Sequence, residues 1–385
     1  MEEQGKRAHE NNAKAGGIRE ALSWIPLGIM MVFFAGTWSF PYFYHITERY
    51  NSLIIFAALA LLFFIRIDVF EAIKRKDVFL IVTVVSLFVA AVNLFLIGSN
   101  KGCILILADF LLILYMSSEH VISKTQLNVL SVFFFLMYLS WFIYDRAFSY
   151  NPNTGATYTV FTLFTALILL QRFSAKYEIC GLFIVMAFLR TGTLVLWHLA
   201  RGAFMALTFF AIFWALFKFL PPAKFKKLYG FISVFAVFGS LLFVFLYVKL
   251  GQTGFNAQMP FFYKNIFSGR EQIWSEIWNM LKLKPLTGIG SGYELQSFFE
   301  YNIHNAMYDI LAVHGIIVFA LSAFVIIGRL VKMRDNINKS ASTLIASAAI
   351  FAIFFESFID MDLMWADYSP VLLFLFAEVF DGEQD

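Results

Sequence analysis

The sequence predicts an all-α, polytopic membrane protein of about 12 transmembrane helices, interrupted by one long polar loop. Three observations lead there. Of the 385 residues, 60% are hydrophobic and only 14% charged, more apolar surface than a soluble fold can hide. Apolar windows of about 20 residues, enough to cross about 30 Å of hydrocarbon as a helix, recur from end to end. Backbone groups in lipid must be paired within their own segment, so these windows read as helices; the two-residue alternation of a membrane barrel is missing.

Taken in order, the first 20 residues, MEEQGKRAHENNAKAGGIRE, are polar. No small-residue cleavage pattern follows a short apolar core, so residues 1–20 read as a cytoplasmic tail ahead of an uncleaved first helix. The apolar cores that follow are 21–40, 51–66, 78–97, 102–117, 126–144, 155–171, 178–196, 202–219, 228–248, 304–328, 341–357 and 366–380. The layout is therefore nine helices over 21–248, an extracytoplasmic loop over 249–303, three helices over 304–380, and a cytoplasmic tail over 381–385. With the N-terminus inside, 19 of the 29 Lys and Arg residues fall in inner segments, including Lys74–Lys76, Lys218–Lys227 and Arg329–Arg334. That is the positive-inside bias of a membrane protein. The connection FIDMDLMWAD, on the outer side, is acidic. Trp38, Tyr42, Tyr44, Trp141 and Tyr144 cluster at outer ends, as an interfacial belt does. Cys103 and Cys180 lie in apolar segments and offer neither a disulfide framework nor metal spacing. A net charge of +3 says little, and nothing in the chain calls for a nucleic acid.

The loop over 249–303 is too long for a plain connection. Within it, SGREQIWSEIWNMLKLKPLTGIGSG has its own pattern. Ser268 with Glu271 reads as a capping box. Ile273, Trp274, Ile277, Trp278 and Leu281 form an apolar stripe at 3–4 spacing, and Pro285 ends the helix. An amphipathic helix on the membrane surface or in the bundle mouth is expected. Arg270, one turn before Trp274, borders the stripe. Locally it reads first as a snorkelling arginine, and alternatively as a rigid fork for phosphate. The glycines of TGIGSG read as a flexible turn, or as backbone brought close to an anion. Arg201 opens the helix after LWHLA, where its charge opposes the helix dipole unless an anion binds. Arg190, in FLRTGT, is a second candidate cation, and His198 reads as interfacial filler.

YNIHNAMYD opens the next apolar window. Placed on a helix, His304 and Tyr308 share one face, and Asn305 and Asp309 the adjacent one. His314 lies about 80° round from His304 at about 100° per residue, so these groups do not converge on a metal. A histidine at the bundle mouth can accept a proton from a sugar hydroxyl. Glu356 and Asp109 are the clearest acids inside apolar windows, and each is a functional candidate on that ground.

The order of these features resembles the O-antigen ligase and O-antigen polymerase superfamily. The matching stretches are Ala200-Arg201-Gly202, Gly269-Arg270 to Trp274, Pro285 to Gly292, and His304-Asn305 to Gly315. The family's serine before the first arginine is Ala200 here. The resemblance implies a GT-C-like glycosyltransferase bundle in the bacterial inner membrane, inverting and free of metal or other cofactor. It implies a donor glycan on undecaprenyl diphosphate, with Arg201 and Arg270 on the diphosphate and His304 serving the acceptor. Arg190, Trp274, Asn305, Tyr308 and Asp309 are the further substrate-binding candidates. The expected activity is polymerisation of oligosaccharide repeat units, with undecaprenyl-diphosphate-linked oligosaccharide as both donor and acceptor and with a flippase and a chain-length regulator as partners. A ligase that transfers the glycan to lipid A-core is the alternative within the family. A flippase or transporter is the alternative outside it.

Overall fold

The computed structural model describes residues 2–97, 102–145, 149–174, 176–220, 222–255, 257–259, 262–296 and 303–382. Tyr301 and Asn302, and the last three residues of the expected C-terminal tail, lie outside that set. Among the described residues the chain is helical, with no strand beyond an isolated bridge between Gln258 and Asn265. The helices are α1 (Glu2–Ser39), α2 (Pro41–Thr47), α3 (Asn51–Arg66), α4 (Val69–Lys74), α5 (Val78–Ile97), α6 (Gly102–Met116), α7 (Lys124–Ile143) and α8 (Pro152–Ser174). They continue as α9 (Ile179–Trp197), α10 (Arg201–Phe219), α11 (Pro222–Gln252), α12 (Arg270–Leu281), α13 (Ala306–Met333), α14 (Ala341–Glu356) and α15 (Ser369–Asp381).

Among the described residues, eight helices are long and apolar enough to cross a membrane: the Gly16–Ser39 part of α1, then α5, α7, α8, α9, α10, α11 from Phe225, and α13. The protein is therefore a multi-pass membrane protein. Each expected apolar window coincides with a helix, but α3, α6 and α14 hold only 16, 15 and 16 residues. At 1.5 Å per residue that is about 24 Å or less, short of the hydrocarbon thickness.

Among these short helices α14 is the most enclosed. Every residue of α14 from Ile345 to Glu356 is buried; it packs against α8, α10, α11 and α15. Its small residues, in ASTLIASAAIFA, let those neighbours approach closely. α8 is nearly as deep, and its threonines satisfy themselves: the hydroxyls of Thr159, Thr162 and Thr165 donate to carbonyls three or four residues back, as such groups do in an apolar helix. At the end away from the long loop, the Arg172 guanidinium makes a two-pronged contact with the buried Glu378 at 2.7 and 2.6 Å, joining α8 to α15.

α13 is broken. Gly315 has φ 82° and ψ 172°, a conformation that a Cβ resists. The backbone groups freed there are taken up by the segment after α12. Ile289 N–H donates to Ala312 O (2.7 Å), Gly290 N–H to Val313 O (3.1 Å), and Ile316 N–H to Pro285 O (2.9 Å). Gly288 and Gly315 meet at the centre of this seam. A Cβ on Gly315 would stand 2.2 Å from Leu286 O, and one on Gly288 would stand 2.5 Å from Val313 O. Gly288 of TGIGSG therefore lets two backbones touch where lipid could not hydrate them. His314, just before the break, is buried, and its carbonyl accepts from Asn93 Nδ2 at 2.9 Å.

Gly315→Ala should destabilise the protein by more than about 2 kcal/mol, because it combines strained φ with a backbone clash. Gly292→Ala, where a Cβ meets open space, should be near neutral. Thermal unfolding in detergent compares the two; equal midpoints would remove the seam from the stability of the fold.

Candidate functional site

α12 begins at Arg270. Its N-cap is Gly269 in the left-handed region, with no side-chain cap. The expected Ser268 box is thus not formed, although Glu271 Oε2 does accept from Gly269 N–H at 3.1 Å. The apolar stripe is as expected: Ile273, Trp274, Ile277 and Leu281 are buried. Trp274 is the anchor. Its indole N–H donates to the Ile303 carbonyl at 2.6 Å, and its own carbonyl accepts from the Tyr308 hydroxyl at 3.1 Å. These two bonds clamp α12 to the head of α13, immediately before His304.

His304 is not helical. α13 starts at Ala306 with Asn305 as N-cap, and His304 has φ 51°, a strained setting for a side-chain-bearing residue. The face shared by His304 and Tyr308 is therefore replaced by a turn that swings the imidazole towards the connection after α14. There Nδ1 lies 3.4 Å from Asp360 Oδ1, and the Arg270 guanidinium lies 3.8 Å from Asp360 Oδ2. Met361 N–H also donates to Oδ1 at 2.9 Å. Asp360 is the joint between the arginine of α12 and the histidine of α13.

Arg201 completes the cationic side. At the first position of α10 it lines one pocket with Lys264, Arg270 and Asp360. Its guanidinium donates to the Asn265 and Ile266 carbonyls at 2.8 and 3.3 Å, while Lys264 Nζ donates to Leu199 O at 3.1 Å. Burial and the neighbouring Arg201 charge push the Lys264 ammonium below its ordinary range. Three cations so close favour an anion between them.

Behind this pocket sit three carboxylates, Glu356, Asp360 and Asp362, with ligand atoms within 4.8 Å of one another. Glu356 faces the start of α10: a Cβ on Gly202 would stand 3.0 Å from its Oε1, so a glycine after Arg201 is what lets α10 approach. Burial opposes ionisation of Asp360, but the His304 hydrogen bond and charge, with Arg270, hold it below the usual carboxylate range. Burial and the Asp360 charge push Asp362 well above that range. With Asp360 ionised, a second charge on the adjoining Asp362 and Glu356 is disfavoured, as among carboxyl groups sharing a site. The trio could hold a divalent cation by spacing alone; the Arg270 and His304 contacts already offset its ionised member.

The other expected residues divide. Asn305 is part of the fold: its Oδ1 accepts from Tyr308 N–H (2.8 Å) and Ser240 Oγ (2.9 Å), and its Nδ2 donates to Phe358 O (2.8 Å). Tyr308 and Trp274 position α12 rather than facing the pocket. Asp309 sits on the Tyr293 and Cys103 side of α13, away from Asp360. Arg190 donates to Phe142 O at 3.4 Å and belongs to the α7–α9 contact. His198 is buried against Asp145, with Nε2 2.7 Å from its carboxylate, and is more than filler. Asp109 is buried in α6 with no hydrogen-bond partner among the described residues, remote from this pocket's lining. Asp360, Asp362 and Lys264 were not foreseen; the acidity of FIDMD on the same predicted side as the arginines was the only signal.

The carboxylates make stability depend on pH with opposite signs. Asp360, with its folded value depressed, contributes stability that is present above the ordinary carboxylate range and is lost as pH falls through the folded value. Asp362, with its folded value raised, contributes stability that is lost as pH rises through it. Thermal unfolding against pH should therefore show an alkaline decline that Asp362→Asn reduces; an unchanged decline in that variant would mean that Asp362 does not contribute to it.

Residues 181–323 match the family model described as O-antigen ligase. No curated protein and no solved structure matches the chain significantly. The matched segment contains Arg201, Arg270 and His304 and ends before the connection that carries Asp360. Over that segment the chain is similar to the O-antigen ligase family.

Proposed function

We propose that this protein polymerises undecaprenyl-diphosphate-linked oligosaccharide repeat units at the extracytoplasmic face of a bacterial inner membrane, as an inverting, metal-independent glycosyltransferase of GT-C-like architecture with 12 spans and both termini cytoplasmic. The observation that carries it is the joint at Asp360, where a guanidinium and an imidazole from two separate segments meet beside Arg201. Such a set can bind a diphosphate and manage a proton, which is what transfer from a lipid diphosphate requires. A flippase and a chain-length regulator are the partners this reading expects.

In this mechanism Arg201, Arg270 and Lys264 hold the donor diphosphate. The pocket encloses only about 50 Å³, room for little more than water. The diphosphate therefore replaces the loop carbonyls that Arg201 now holds. His304, its Nδ1 directed to Asp360, presents Nε2 to the acceptor hydroxyl. The hydroxyl oxygen forms its bond to the anomeric carbon from the side opposite the diphosphate, its proton passes to Nε2, and the carbon–oxygen bond to phosphate breaks. The bonding electrons stay on the diphosphate, where the arginines stabilise them without a metal. Asp360, ionised, stabilises the imidazolium. Transfer to lipid A-core is the second reading, favoured by the description of the matching family, and it uses the same donor chemistry.

Purified protein given a lipid-linked repeat unit should yield a product ladder without lipid A-core; product only when lipid A-core is added would establish the ligase instead. His304→Ala should slow elongation about 10²- to 10⁴-fold at unchanged protein level, and wild-type chain length in that variant would take His304 out of the reaction. Arg270→Ala should cost about 10²- to 10³-fold in turnover and weaken saturation by donor. Unaltered donor kinetics would remove it from the diphosphate site.

A further inference from the structure

A second recess lies along α12, with a lining separate from that of the arginine pocket. It is a groove of about 430 Å³ between α11 and α13, roofed by α12. Its walls are apolar: Leu241, Val244 and Phe245 from α11, Trp278 from α12 and Leu311 from α13. Phe245 and Trp278 are half exposed, so the groove opens sideways to lipid. Lys249 and Lys282 line it too. A polar cleft of about 350 Å³ shares Val248, Gln252 and Ser275 with it and adds Glu271, Gln272 and Glu276.

Resting on the polymerase reading, we propose that this groove takes the polyprenyl chain of the acceptor, with its phosphates between Lys249 and Lys282 and its sugars in the polar cleft. Three observations carry this. The groove provides a cationic pair separate from the arginine pocket. Arg270 and Lys282 stand at opposite ends of a 12-residue helix, about 18 Å apart, so one diphosphate cannot use both. The polar cleft has two acids and no cation among its lining residues, which suits neutral sugar hydroxyls and repels phosphate. Finally, the groove's inner wall is Trp274 and Tyr308, the residues that clamp Ile303 and hence set His304. Ile303, one residue before His304, is thus held from the groove's wall. Polymerisation needs two lipid-linked substrates at one reaction centre, and this groove supplies the second berth.

The test is photocrosslinking of the full-length protein in nanodiscs with radiolabelled undecaprenyl diphosphate. p-Benzoylphenylalanine at Phe245, in the groove, should label; the same group at Leu246, exposed at the same depth but outside the lining, should not. Labelling at Phe245 should survive His304→Ala and Arg270→Ala, and fall about 10-fold in Lys249→Glu/Lys282→Glu, a loss of about 1.4 kcal/mol. Equal labelling at both positions, or equal competition by phosphatidylglycerol, would make the groove an ordinary lipid contact and overturn the proposal. Stronger competition by an acylated lipid A-type phosphate would overturn the polyprenyl assignment. If His304→Ala remains fully active while the Phe245 label stands, the reaction mechanism fails and the groove does not.

Discussion

The loop end of this bundle is organised around the carboxylate of Asp360. One oxygen is turned to His304 and the other to Arg270, and Met361 N–H fixes the first. A lone carboxylate in that setting would be expensive to ionise. The three contacts make ionisation favourable, and once charged, the group holds Arg270 and His304 in fixed relation. The imidazole is thereby oriented through Nδ1, and Arg270 is kept at the pocket rather than reaching for bulk water. The acids behind Asp360 lie close enough to it that further negative charge there is disfavoured.

The enclosing structure serves that joint. α14 is buried on all sides and delivers Glu356 and the Asp360 connection to the base of the pocket. α10 brings Arg201, and Gly202 permits the approach. α12 carries Arg270 at one end and is held by Trp274 through Ile303 and Tyr308. Each contributor comes from a different helix, so no single element contains the site, and its geometry is a property of the whole bundle end.

Much of the helical layout was legible in the sequence, because lipid demands long apolar segments with internally paired backbones, and such segments cannot be disguised. Arg201, Arg270 and His304 were legible as charged or titratable groups at the edges of such segments. Asp360 was not. Its partner His304 is 56 positions away, and a pair of acids in FIDMD reads the same whether it organises a site or faces water. Asn305 misled for a related reason: the amide that could hold a sugar also caps a helix, and the two uses share one chemistry. The glycines of TGIGSG misled because a small residue only announces that something comes close, and not what; here it was the unwound backbone of α13.

That seam between Gly288 and Gly315 bears on how the extramembrane segment can vary. α12 is pinned at its start by the Asp360 contact and just past its end by backbone bonds to the broken helix, which makes it a fixed lintel rather than a swinging gate. Diversification of the loop, whether by natural insertion or by a grafted epitope, is then confined to the stretches outside these two pins: before Gly269, or beyond Gly292.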